Sequence, residues 1–290
     1  MAEIKAQLVK ELREMTGAGM MECKKALTEA QGEINRAVDV LRTRGLAAAA
    51  KKAGRVTNEG LIVCKVAPQP TSAAMIEINC ETDFVARNDV FARLAEDIAD
   101  AILVNAPGDL DALKELSVGS QTVGELLTAG IHTLGENIQV SRFVRLTAEE
   151  GSIASYVHGG GRLGILAQLD FNEPKTGQNK QFIQLARDIA MQIAATNPLE
   201  VSRDSIAAEV IQRELDIYRA QAAESGKSAD VQEKMVQGRL EKFYKENTLL
   251  EQPFIKDTAI SVRQYLKNTA KILGDQISVV GFRRYEIGGQ

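Results

Sequence analysis

Two short stretches carry residue types at spacings that chemistry can use, and both lack the partners that chemistry needs. Gly226-Lys227-Ser228 has the ending of a phosphate-binding loop, in which backbone amides cradle phosphates and a lysine reaches them. That loop requires a Gly five places before Gly226, where Gln221 stands, and a strand ahead of it. A turn between helices is the better reading. His158-Gly159-Gly160-Gly161 has the form of a hydrolase oxyanion loop, yet no Gly-x-Ser-x-Gly elbow supplies a nucleophile. Its glycines fit a tight turn between two strands. His132 and His158 are the only histidines, and neither has a carboxylate or Cys at metal-ligand spacing, so His132 reads as a hydrogen-bonded structural residue. Cys23, Cys64 and Cys80 are odd in number and form no Cys-x-x-Cys pair, which indicates neither a disulfide framework nor a zinc site but small buried side chains in a reducing compartment. No metal, no cofactor and no covalent chemistry are expected.

What remains is Asn79-Cys80-Glu81-Thr82-Asp83-Phe84-Val85-Ala86-Arg87-Asn88-Asp89. An apolar run of strand length, Met75, Ile76 and Ile78, precedes it, and Phe91, Leu94, Ala95, Ile98 and Ile102 follow at helical spacing. Thr82 or Asp83 can cap the helix start, and Asp83 suits the positive end of its dipole. Phe84 is left over by that account. Flanked by Glu81, Asp83, Arg87 and Asn88, it either folds into the core or stands out of a polar rim, and spacing alone favours the core by about two to one.

Three motifs tip that balance. Thr82-Asp83-Phe84-Val85-Ala86, the stretch from Leu12 to Leu27 (Leu-Arg-Glu-Met-Thr-Gly-Ala-Gly-Met-Met-Glu-Cys-Lys-Lys-Ala-Leu) and Tyr156-Val157-His158-Gly159 stand in an order that resembles the elongation factor Ts family, over Met1 to about Gly288. Members are nucleotide-exchange factors of the translational GTPase elongation factor Tu. The resemblance implies that Thr82, Asp83, Phe84 and Val85 touch the GTPase, with Asp83 and Phe84 dislodging its magnesium so that GDP leaves and GTP can rebind. It implies further contacts from Arg13, Met20 and Met21, from Leu134 and Gly135, and from His158. It also implies elongation factor Tu as the partner and a possible dimer of the exchange complex. Many members continue past the last strand with a helix that lies on the partner; with Gln290 the last residue here, no contact from that helix is expected.

The elements that must position these residues are legible in part. Hydrophobic content of 44%, charged content of 26%, aromatics at 4% and no Trp describe a helix-rich aliphatic core. A net charge of −4 argues against a grip on nucleic acid dominated by phosphates, and the basic run Arg42, Arg44, Lys51, Lys52 and Arg55 reads as a solvated linker face. No apolar run approaches the roughly 18 residues of a membrane span and no leader pattern opens the chain, so a cytoplasmic protein is expected. Ile4, Leu8, Val9, Leu12 and Met15, then Met21, Cys23, Ala26 and Leu27, then Ile34, Ala37, Val38 and Leu41 mark three helices. One of Met20 and Met21 is expected to fill the helix pair and the other to face outward. The Ala47–Lys52 stretch is a helical connector ending at Gly54.

From Gly60 the chain repeats itself. Setting position n against n+91 gives ten identities in the forty positions 60–99, among them Gly60 on Gly151, Asn88 on Asn179 and Phe91 on Phe182. Average usage would give roughly two or three. A later block, Leu134-Gly135 to Arg145, matches Leu273-Gly274 to Arg284 at n+139, so 48 residues are inserted in the second copy. Pro198 and Pro253 bracket that insertion, where stripes Ile206, Val210, Ile217 and Val231, Met235, Leu240, Phe243 predict an antiparallel hairpin about 30 Å long. The fold class is therefore α+β. Residues 1–55 form a three-helix module, ubiquitin-associated-like by the family resemblance, with its connector. Residues 56–150 and 151–290 form duplicated subdomains with antiparallel sheets, the second carrying the coiled-coil hairpin at about 200–250. The competing reading is a helical adaptor whose small module binds a peptide or a ubiquitin-like partner.

Overall fold

The computed structural model describes residues 4–16 and 18–289, so Gly17 of the glycine loop lies outside the described residues. At the amino terminus α1 (Ala6–Thr16), α2 (Met20–Glu29) and α3 (Ile34–Lys52) enclose a small core of Val9, Leu12, Cys23, Ala26, Leu27, Ala37 and Leu41. The first half follows as β1 (Glu59–Val66), β2 (Ser72–Cys80), α4 (Asp83–Ala86), α5 (Asp89–Asn105), α6 (Leu110–Glu115), the ribbon β3 (Ser117–Val118) and β4 (Gln121–Thr122), α7 (Val123–Leu134) and β5 (Gln139–Thr147). The second half runs β6 (Ser152–His158), β7 (Leu163–Phe171), a 3₁₀ turn (Pro174–Gln178), α8 (Lys180–Thr196), α9 (Ala208–Ala223), α10 (Ala229–Asn247), the ribbon β8 (Pro253–Phe254) and β9 (Asp257–Ser261), α11 (Val262–Leu273) and β10 (Ile277–Glu286).

Each half is an antiparallel three-stranded sheet with helices on one face, ordered β1-β2-β5 and β6-β7-β10. The correspondence extends to irregularities that composition alone would not repeat. The strand pairing skips Ser141 in β5 and Val280 in β10, a bulge at positions 139 residues apart. Gly60 and Gly151 both have positive φ, and a Cβ on either would meet the carbonyl oxygen of Ile78 or Leu169 at 2.2 and 2.1 Å, a backbone approach only glycine permits. Left-handed residues Ala106 and Asn197 end α5 and α8, and Thr122 and Ser261 cap α7 and α11.

Fully buried Phe91 and Phe182 anchor the two helix-on-sheet cores. The opposite sheet faces meet over Ile62, Met75, Ile153, Leu166 and Ile287. Arg142, paired with Glu77 inside the first half, reaches across to the second as well. Arg142 Nε donates to Glu77 at 2.7 Å, lies over the Tyr285 ring, and reaches the Glu286 carbonyl at 3.3 Å.

Three expectations need correction, and one is refined. The third amino-terminal helix and the connector are one helix, α3, which passes through Gly45. That glycine is buried, and its missing side chain lets α3 approach α7, where a Cβ would sit 3.3 Å from Thr128 Cγ2. The basic run does lie largely in solvent, with the Arg42 and Arg55 side chains 62% and 52% exposed, but most of it is paired rather than free. Arg42 pairs with Glu125, Arg44 with Glu29 at 2.6 Å, Lys52 donates to the Ile131 carbonyl at 3.2 Å, and Arg55 pairs with Glu81 at 3.3 Å. His132 lies half-buried in the last turn of α7 with no hydrogen bond to its ring among the described residues. In the hairpin, Ile206, Leu240 and Phe243 do form a core, but their partners on α9 are Ile211, Leu215 and Tyr218, one position from the predicted stripe. Val210 and Ile217 remain exposed because residues 211, 215, 218 and 222 keep the closer helical repeat toward α10.

Candidate functional site

β2 ends at Cys80, and the chain turns at once into the single helical turn α4. Thr82 is its cap: extended backbone, hydroxyl accepting the Val85 amide at 3.4 Å. Ala86 is buried and Val85 packs half-buried against the first-half core, so two of the four residues hold the turn down. Asp83 is half-buried, and its carboxylate pairs with Arg87 at 3.0 Å. Phe84 points away from all of this and is 82% exposed. A large aromatic mostly in water on a capped, anchored turn contributes little to the fold and is suited to enter a pocket on another molecule.

The turn is held from outside by the loop after α7. Leu134 is half-buried in the first-half core, and Gly135 ends α7 in a left-handed conformation. The next residue, Glu136, accepts the Glu81 and Thr82 amides at 3.0 Å each and the Thr82 hydroxyl at 2.5 Å. In return the Glu81 carboxylate accepts the Asn137 amide at 2.7 Å and pairs with Arg55. The Asn137 amide, with Arg55 beside it, holds the Glu81 carboxyl below the usual carboxylate range. Beneath, burial and then the nearby Glu136 charge push the Cys80 thiol up to about 12, which leaves it an unreactive core group. Sequence reasoning missed Glu136. The signal was present, because Asp275 stands 139 residues on and makes the matching contacts to the Asn172 and Glu173 amides and the Thr176 hydroxyl.

Thr82, Asp83, Phe84, Val85, Leu134 and Gly135 are therefore brought together around one turn. The other candidates lie elsewhere. Arg13, Met20 and Met21 are all exposed on the amino-terminal helices, the methionines at 59% and 65%, so neither Met fills the helix pair as expected. Cys23, Ala26 and Leu27 suffice to close that core, and Met15, read as part of the α1 stripe, is exposed too. No hydrogen bond or ion pair among the described residues links these side chains to α4. His158 ends β6, exposed, with its Nδ1 3.0 Å from the Tyr156 hydroxyl and the two rings stacked. Gly159, Gly160 and Gly161 make the strand-to-strand turn, and the Gly161 carbonyl accepts the Ile62 amide at 2.7 Å, which seats the tip of this hairpin on β1. No group of three or more His, Cys, Asp or Glu among the described residues could hold a metal ion, and no helix there is long and apolar enough to cross a membrane.

Residues 81–289 match the family model described as "Elongation factor TS". Over 288 residues the chain is 44% identical to the elongation factor Ts of Clostridium kluyveri, covering 98% of this chain and 93% of that protein. It is 43% identical to that of Clostridium botulinum, covering 98% and 92%. The chain belongs to the elongation factor Ts family. The elongation factor Ts model starts at Glu81, one residue before the cap Thr82, so α4, its Glu136 brace and His158 fall within it. Arg13, Met20 and Met21 precede it and are spanned by the full-length elongation factor Ts relatives.

Proposed function

We propose that the chain is a guanine-nucleotide exchange factor that binds elongation factor Tu carrying GDP and releases the nucleotide without covalent chemistry. The observation that carries this reading is Phe84, 82% exposed on a turn otherwise capped and anchored. Phe84 and Asp83 act as a wedge that disturbs the magnesium and phosphate site of the GTPase, while Thr82, Val85, Leu134 and Gly135 form the rim around it. Arg13, Met20 and Met21 supply a second contact from the amino-terminal module, and His158 a third from the β6 hairpin. On this reading the chain divides into 1–55, 56–150 and 151–290, works in the cytoplasm, and enters an exchange complex that can pair into a dimer.

The driving force is linkage. A protein that binds nucleotide-free GTPase more tightly than the GDP form weakens GDP binding by the same factor. Release of fluorescent GDP from elongation factor Tu, followed with and without the chain, tests the proposal. Faster release at saturating factor is expected. An unchanged release rate, with binding of a ubiquitin-like protein or a peptide to α1–α3 instead, would establish the adaptor reading.

A further inference from the structure

We propose that Glu136 and Glu81 are positioning residues that hold the Phe84 turn at the angle exchange requires, an inference that rests on the exchange-factor reading. α4 is four residues long, far below the length at which a helix sustains itself. Its packing comes from Ala86 and part of Val85, on the face away from Phe84. The direction in which Phe84 projects is therefore set by how the chain enters the turn.

That entry is braced in both directions between segments more than fifty residues apart. Glu136 takes two amides and a hydroxyl from Glu81 and Thr82, and Glu81 sends its own carboxylate back to the Asn137 amide. Arg55 closes the brace. Its guanidinium reaches Glu81 at 3.3 Å and its carbonyl accepts Asn137 Nδ2 at 2.9 Å, tying the segment that leaves α3 to the same point.

The second half serves as an internal control, because it carries the same fold and no exposed aromatic at this place. Asp275 there makes the first set of contacts, so one carboxylate suffices to fasten such a turn. The return arm is absent. Asn172 stands at the position of Glu81, and the Gln276 amide, equivalent to that of Asn137, turns back to Asp275 at 2.7 Å. The second carboxylate and its arginine occur only where Phe84 stands, and charge-assisted hydrogen bonds of this kind fix geometry more tightly than neutral ones.

The test is stimulated GDP release from elongation factor Tu by full-length Glu136→Ala, Glu136→Gln and Glu81→Gln variants, each alone and combined with Phe84→Ala. Small displacements of a positioned group cost large factors in rate. Glu136→Ala should lower the maximum stimulated rate about tenfold with the half-saturating concentration changed less than twofold, Glu136→Gln should recover part of it, and Glu81→Gln should lose about threefold. In the Phe84→Ala background each should change the rate by less than twofold, since the residue acted upon is gone. Equal losses with and without Phe84, or rates that merely follow the folded fraction seen by circular dichroism, would overturn the inference. If Phe84→Ala alone leaves exchange unchanged, the wedge reading itself fails and this inference with it.

Discussion

Phe84→Ala separates a recognition residue from a core residue by two measurements. A phenylalanine offers about 150–250 Å² to a partner pocket, which at roughly 25 cal/mol per Å² is at most about 4–6 kcal/mol. Ordering of the complex and imperfect fit reduce this to the roughly 2–4 kcal/mol of an interface hot spot, or about 30-fold to 1000-fold in rate. In the free protein the same side chain is 82% exposed, so about a fifth of its area contributes to the fold and truncation should cost under about 1 kcal/mol. Phe91, seven residues on and fully buried, is the control: Phe91→Ala should cost about 3–5 kcal/mol of stability. Stimulated GDP release and urea unfolding are read on both variants. The reasoning is refuted if Phe84→Ala unfolds as easily as Phe91→Ala, or if it exchanges at the normal rate.

Three other outcomes are expected. Replacing residues 220–234 by a short Gly-Ser linker, while keeping the hairpin base at Ile206, Ile211, Leu215, Tyr218, Leu240, Phe243 and fully buried Thr248, should leave a cooperatively folded protein; loss of the thermal transition would show that the hairpin tip supports the core. Gly151→Ala forces a Cβ to within 2.1 Å of the Leu169 carbonyl oxygen and should cost at least about 2 kcal/mol in urea unfolding, whereas an unchanged midpoint would contradict the close approach. Hydrogen bonds from Arg203, at 2.7 and 2.8 Å, hold the Glu251 carboxyl below its ordinary range. A carboxyl depressed in the fold stabilises above its unfolded pKa and loses that contribution as pH falls through the folded value. Stability should thus decline below about pH 4.3, and Arg203→Met should flatten that decline; an equally steep acid limb in the variant would show that this pair is not its source.

The duplication was readable because packing repeats its demands. Gly60 and Gly151, Phe91 and Phe182, and Leu134-Gly135 and Leu273-Gly274 each answer the same steric question twice. What escaped the sequence were effects of tertiary contact on local signals. The third helix and the connector read as two elements until the proximity of Thr128 explains the glycine between them, and nothing local in the sequence pairs Arg42 with Glu125, Arg44 with Glu29 or Arg55 with Glu81. In α9 two apolar stripes one position apart competed, and only α10 could choose between them. At the site, the Thr82 cap followed from residue type, whereas Glu136 had no local motif to announce it. Its role depends on a contact across 54 residues, and only the matching acid at 275 hinted at it.

The central claim is thermodynamic coupling, and one titration addresses it. The affinity of the chain for elongation factor Tu is measured by calorimetry with the GTPase nucleotide-free and again with GDP and magnesium saturating, alongside the affinity of GDP for the GTPase with and without saturating chain. The account predicts that GDP weakens binding of the chain, and that the chain weakens binding of GDP by the same factor. Equal affinity of the chain for the nucleotide-free and GDP-bound forms would contradict it.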